Sequence, residues 1–144
     1  MKNPKRKEHN LFGDTITCHK IDVLKLDLHQ NHFSLITGCW CLGFFDEDNI
    51  LTLLKNVRKA LAEDGVAVFK ESIPDGDTSE KGNDFYDRHP EAKYETLFEK
   101  AGFEYKTEAR YSFHEEGEED PYHEDVFWKL TPKTNQPVGL GNPT

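Results

Sequence analysis

The chain has 144 residues, enough for one domain that hides roughly 70% of its unfolded surface. Hydrophobic residues make up 35%, charged residues 31% and aromatics 12%, with a mean hydropathy of -0.78, which suits a compact domain with mobile ends and is too aromatic for a disordered chain. A net charge of -9 and a pI near 5.2 argue against nucleic acid, whose phosphates require a basic face, and favour a cationic peptide or cofactor instead.

No run approaches the ~20 apolar residues of a membrane span, and "MKNPKRKEHN" has no apolar segment of a leader peptide. Residues 1–13 read as a flexible basic N-terminus in which Lys2, Lys5, Arg6 and Lys7 form a solvated end, with a localisation signal or contact arm as the sharper alternative. Cys18, Cys39 and Cys41 are an odd set without framework spacing, so reduced thiols and an intracellular setting are expected, cytoplasmic, nuclear or in an organelle matrix. In "CWC" on a strand, Cys39 and Cys41 would share a face, and two thiolates make a poor zinc site.

Along the chain, "DTITCHKIDVL" (14–24) suits a strand with one bend, followed by the polar loop "DLHQNH". "FSLITGCW" (33–40) is apolar on both faces, as in a strand buried between layers. Asp46 or Asp48 caps a helix with Ile50, Leu54, Val57 and Leu61 on one face, and Gly65 is its expected stop. "VAVFKE" (66–71) is a short buried strand, which completes a strand, helix, strand unit with an expected right-handed crossover. Residues 72–89 have many turn formers and no hydrophobic period, so they read as a long loop past the carboxyl end of a central strand.

Pro90, at the first helical position, opens a second helix that turns Tyr94, Leu97, Phe98 and Ala101 inward and stops at Gly102. "FEYKTEARYSF" (103–113) and "DVFWKL" (125–130) alternate at period two and read as an antiparallel pair. The acidic connection, from His114, Glu115 and Glu116 to Glu124 and Asp125, has metal-binding residue types but no fixed geometry; a solvated loop or a docking patch for a basic partner is expected, and no metal. From Pro132 the tail, 132–144, reads as flexible, and Met1 with the low-complexity ends as ordinary chain ends.

This order of elements resembles the C-terminal half of a class I S-adenosylmethionine-dependent methyltransferase. More narrowly, "WCLGFFDEDNILTLLKNVRKALAEDGVAVFKES" followed by "LFEKAGF" resembles the alpha-N-terminal protein methyltransferase family, with Trp40, Gly43, Gly65 and Lys70 in step over residues 15–131. The resemblance implies an α/β fold: a partial Rossmann-like sheet, mixed and with a C-terminal antiparallel strand pair, flanked by helices over residues 14–131. It also implies S-adenosylmethionine as cofactor and, as substrate, a basic peptide whose N-terminal residue is followed by Pro-Lys.

Carried over residue by residue, the resemblance makes Asp84 the group that holds and deprotonates the amine. Trp40 packs on the N-terminal residues of the substrate, and Gly43, Phe44, Glu71, Ser72 and Tyr86 line its side. Asp22 lies near the adenine, and Cys39 stands where the family has a glutamine that touches the cofactor. The sequence departs from the pattern at the reacting end, where Phe85 and Tyr86 replace serines and Phe44 a polar group. Before Thr15 there is one glycine, Gly13, and no strand followed by a glycine loop, so the chain alone is expected to be inactive.

Strand 33–38 would then have an exposed apolar edge, to be covered by residues 14–24, by another protein chain or by self-association. A non-catalytic subunit of a larger assembly, one half of a split enzyme, and a fragment of a longer product are the alternatives.

Overall fold

The computed structural model describes residues 19–25, 27–74, 76–81, 86–113 and 123–134. Strand β1 (Phe33–Cys39) leads through a 3-10 turn at Leu42–Phe44 to helix α1 (Glu47–Ala60) and strand β2 (Leu61–Ile73). Two-residue strands β3 (Glu80–Lys81) and β4 (Asp87–Arg88) precede helix α2 (Glu91–Lys100), and strands β5 (Phe103–Phe113) and β6 (His123–Pro132) complete the order.

The four long strands form one sheet in the order β1-β2-β6-β5. β1 and β2 are parallel, joined across α1, while β6 runs antiparallel to both β2 and β5. This is the mixed sheet with a C-terminal antiparallel pair that the two alternating runs imply. Along β2, Ala67, Phe69, Glu71 and Ile73 are buried, whereas Val66, Val68, Lys70 and Ser72 are half-buried, the period of two that separates the faces of a strand.

The buried face meets α1 through Ile50, Leu53, Leu54 and Val57, and α2 through Tyr94, Leu97 and Phe98. Phe98 stacks on Phe69 with ring centroids 6.5 Å apart, and Trp128 meets Phe98 at 5.4 Å. Both helices therefore pack into one core on one side of the sheet, rather than flanking it on both.

Four boundaries differ from the sequence expectations, each for a local reason. No strand forms at 19–24: the Asp22 carboxylate accepts from Leu24 N at 3.0 Å and closes a 3-10 turn at Val23–Lys25, which rests on α1. Residues 14–18 lie outside the described residues, and no described residue before β1 pairs with its free edge.

The first helix ends at Ala60, not at Gly65, and β2 starts at once. Register runs from Phe33↔Leu61 directly to Leu35↔Val66, so residues 62–65 bulge out of the ladder. Gly65 serves this bulge, since a Cβ there would stand 2.7 Å from the Phe33 carbonyl oxygen.

The expected long loop 72–89 contains the β3/β4 pair, and β2 extends into it as far as Ile73. Pro90 is the N-cap rather than the first helical residue of α2, and Gly102 terminates that helix at φ 91°, as expected. Arg58 of α1 ties this corner down, donating from Nε to the Gly102 carbonyl at 3.0 Å and from Nη2 to the Lys133 carbonyl at 2.7 Å.

Candidate functional site

The carboxyl ends of the parallel strands β1 and β2 lie side by side, the place where open α/β sheets bind ligands. β1 ends in a sharp corner. Trp40 takes a left-handed backbone at φ 47°, costly for a bulky side chain, while its N–H still donates to the Lys70 carbonyl at 2.8 Å.

Trp40 is followed by Cys41 in the right-handed region at φ -114°, and this succession turns two backbone N–H groups toward one point. The anion in that nest is the protein's own. Glu71 Oε1 accepts from Cys41 N at 3.0 Å and from Leu42 N at 2.9 Å, and Oε2 accepts from the Tyr86 hydroxyl.

Glu71 is fully buried, and this desolvation raises its pKa above the usual carboxylate value against the pull of those three donors. Burial beside Glu71 also raises the phenols of Tyr86 and Tyr94, and pushes the Cys41 thiol up to about 12. These groups stay protonated at neutral pH and are not nucleophiles; the Tyr86 hydroxyl donates to Glu71, whereas the buried Tyr94 hydroxyl meets no partner among the described residues.

The corner turns Cys41 away from Cys39. The two do not share a face: Cys41 joins Gly38 and Phe69 around an apolar pocket, and Cys39 is exposed. A positive φ at the intervening residue breaks the period of two on which the shared face depended.

Gly43 lies under the Tyr86 ring, where a Cβ would come within 2.5 Å of the Asp87 carbonyl oxygen and 2.6 Å of Tyr86 Cε2. Phe44 meets the same ring edge-on at 5.2 Å. Gly43→Ala is expected to lower stability by about 2 kcal/mol, read from the urea midpoint, because backbone must shift to accept the methyl group.

A second cluster lies on the opposite face of β2. Lys70 Nζ stands 3.0 Å from Asp125 Oδ2 and 3.9 Å from the centroid of the Trp40 ring, with Phe127 at 5.3 Å. The other Asp125 oxygen accepts from the Ser72 hydroxyl. Ser72 belongs to both clusters, since its N–H donates to the Tyr86 oxygen at 3.3 Å.

Of the sequence-derived site residues, Gly43, Phe44, Glu71 and Tyr86 therefore meet in the first cluster, Trp40 lies in the second, and Ser72 joins the two. Asp22 does not join them, its carboxylate being engaged by Leu24 N and by Lys25 at 3.7 Å. Asp84 and Phe85 lie outside the described residues.

Asp125 departs from the acidic string in which the sequence placed it, because it is 1% exposed and ion-paired. The pairing of β2 with β6 accounts for its place. Register sets Ser72 opposite Asp125 and Lys70 opposite Phe127, so Lys70 and Asp125 are diagonal neighbours. Among the described residues no group of three metal-ligating side chains occurs.

His89 had no sequence signal. It is buried, its Nδ1 lies 3.0 Å from Ser79 Oγ, and burial lowers its pKa, so it is neutral at pH 7 and links the β3 approach to the ring of Tyr94.

The described residues do not fit a nucleotide cofactor. Gly38 and Gly43 are filled from within the protein, by Phe69 and Cys41 in one case and by Tyr86 and Asp87 in the other. The apolar pocket between β1 and α1 holds about 180 Å³, below the roughly 300 Å³ at which pockets bury a drug-sized ligand.

No protein-family profile and no curated protein matches the chain. Solved structures do. An S-adenosylmethionine-dependent methyltransferase from Leishmania major superposes with a TM-score of 0.56 at 19% identity, over 76% of this chain and 43% of that one. A methyltransferase from Clostridium acetobutylicum that depends on the same cofactor superposes at 0.54 with 14% identity, over 78% and 63%. The 1,6-didemethyltoxoflavin-N1-methyltransferase of Burkholderia thailandensis, with bound 1,6-didemethyltoxoflavin and S-adenosylhomocysteine, superposes at 0.60 with 19% identity, over 78% and 49%. The chain thus spans about half the length of these structures. The fold is a partial Rossmann-like class I methyltransferase fold.

Proposed function

We propose that the chain forms the acceptor side of a methyltransferase-like site for the α-amino end of a Xaa-Pro-Lys peptide, and that by itself it neither retains S-adenosylmethionine nor transfers a methyl group. The observation that carries this reading is Trp40, 47% exposed and held in a left-handed corner at the carboxyl end of β1 beside Lys70 and Asp125. An indole face suits the ring of a proline at the second position of a peptide, and the net charge of -9 suits a basic one.

On this reading Ser72, Glu71 and Tyr86 hold the corner and the floor of the acceptor site, and Asp84 accepts the amine proton. The cofactor half is the part that the described glycines do not supply, since both at the end of β1 are occupied by side chains or backbone of the protein.

Two titrations of the purified chain test the two parts separately. With S-adenosylhomocysteine, calorimetry is expected to show no saturable heat; binding in the micromolar range would overturn inactivity alone. A Ser-Pro-Lys peptide is expected to change the Trp40 fluorescence of the wild type and not that of Trp40→Phe, whose remaining tryptophan, Trp128, is buried. An unchanged spectrum at millimolar peptide would remove the acceptor reading.

A further inference from the structure

An ammonium is already held at the carboxyl ends of β1 and β2, and the protein itself supplies it. Lys70 and Ser72 of β2 stand in register with Phe127 and Asp125 of β6, and Cys39 at the end of β1 lies beside Lys70. The sheet thus brings Trp40, Lys70, Asp125 and Phe127 to one point.

The carboxylate is the floor of this point and the rings are its walls. The Asp125 side chain is 2% exposed, and the Ser72 hydroxyl fixes it by donating to Oδ1. Oδ2 accepts no hydrogen bond among the described residues, and its counterion is the Lys70 ammonium 3.0 Å away. The same ammonium lies 3.9 Å from the Trp40 centroid and 5.3 Å from that of Phe127. A desolvated carboxylate beside aromatic faces suits an alkylammonium, whose charge meets the carboxylate and the ring quadrupoles while its carbons cover the rings.

Lys70 is the removable member of the group. Its side chain is 18% exposed, so it stands at the mouth of the site, above the buried carboxylate. Withdrawal restores the freedom of a long side chain, and an ammonium entering in its place keeps the buried charge compensated. Trp40 is the fixed member, held at φ 47° although 47% exposed, a strained backbone of the kind that binding sites retain.

We infer that Trp40, Phe127 and Asp125 form a binding site for a primary ammonium, and that Lys70 closes it from within as an internal competitor. An entering ammonium donates an N–H to Asp125 Oδ2 and takes the place of Lys70 Nζ. A quaternary ammonium has no N–H to donate and is rejected. The inference rests on the acceptor reading where the two share Trp40, and it adds the group that is recognised and the side chain that regulates access.

Methylammonium chloride titrated into the full-length chain, read by the fluorescence of the exposed Trp40, tests it against tetramethylammonium chloride at equal concentration. Lys70→Ala opens the site, and its half-saturation is expected at a methylammonium concentration about tenfold below that of the wild type, the factor by which a competitor occupying nine-tenths of the molecules weakens binding. Lys70→Arg still pairs with Asp125 and is expected to behave as the wild type. Lys70→Gln, whose amide donates to Asp125 without a charge, carries the same comparison if Lys70→Ala does not fold. Asp125→Asn in the open variant is expected to abolish the response. Equal half-saturation in the wild type and the open variants overturns the inference, as does an equal response to tetramethylammonium or one that survives Asp125→Asn.

Peptides identify the source of the ammonium. Ser-Pro-Lys with an acetylated N-terminus keeps only the lysine ammonium, and Ser-Pro-norleucine keeps only the α-ammonium, so the peptide that shares the tenfold gain in the open variant carries the recognised group. A methylammonium response without any peptide response removes the acceptor reading and leaves this inference standing. A wild-type peptide response without the methylammonium gain removes this inference alone.

Discussion

Glu71→Ala is expected to destabilise the protein by about 4 kcal/mol, the largest loss of any single substitution at the site. One carboxylate serves three donors, Cys41 N, Leu42 N and the Tyr86 hydroxyl, and truncation leaves all of them beside a cavity. Each unmet buried donor costs roughly 1–3 kcal/mol, and the left-handed backbone of Trp40 loses the anion that favours the nest. Urea unfolding monitored at Trp128 measures the loss. A change below about 1 kcal/mol would mean that water replaces the carboxylate freely.

Glu71→Gln separates shape from charge. Because burial raises the pKa of Glu71, the folded state holds its proton at pH values where the unfolded state has released it. Between the usual carboxylate value and the raised one, the Glu71 contribution to stability therefore grows as pH falls and shrinks as pH rises. The wild type minus Glu71→Gln difference isolates this slope from those of the other carboxylates, and a flat difference between pH 4 and 8 would remove the assignment.

Asp125→Ala is expected to cost about 3 kcal/mol. Lys70 keeps the Trp40 face but loses the carboxylate 3.0 Å away, and the Ser72 hydroxyl loses its acceptor. Lys70→Met in the same background is expected to restore part of the loss, since it removes the charge left without a partner. Trp40 fluorescence should rise in solvent exposure in Asp125→Ala, because the ammonium that Asp125 holds against the indole becomes free to move. Equal losses in the single and double variants would show that the ion pair does not position Lys70.

The hydrophobic periods were sufficient for both helices and for the β5/β6 pair, because each follows from burial on one face at a local spacing; β1 was found by its apolar run, but it is not buried between layers, since none of its residues is buried and Leu35 is 57% exposed at the end of the strand order. "VAVFKE" located the heart of β2. The start of β2 at Leu61 was not legible, since "LAED" is as good a helix end as a bulge, and only contact with the Phe33 carbonyl distinguishes the two uses of Gly65. The turn at Val23–Lys25 was hidden for a similar reason: alternation at Ile21 and Val23 fits a strand until Asp22 bonds to Leu24 N.

At the site, resemblance and strand ends together selected Trp40, Gly43, Phe44, Glu71, Ser72 and Tyr86, which the structure distributes over two clusters linked through Ser72. Their roles were less accessible. Nothing local in "KES" says that Glu71 faces the core while Lys70 and Ser72 face away, until β2 acquires neighbours on both sides.

By itself the sequence determined the alternation of helix and strand, a capping aspartate at 46 or 48 for α1, of which the structure uses Asp46, and the stop of α2 at Gly102, because these depend on groups within a few residues of one another. Only the tertiary structure decided that Glu71 fills a nest made 29 residues away and that Asp125 is buried against Lys70. Those outcomes rest on strand order and register, which bring distant polar groups out of water together and make each one's energy depend on a partner the local sequence does not contain.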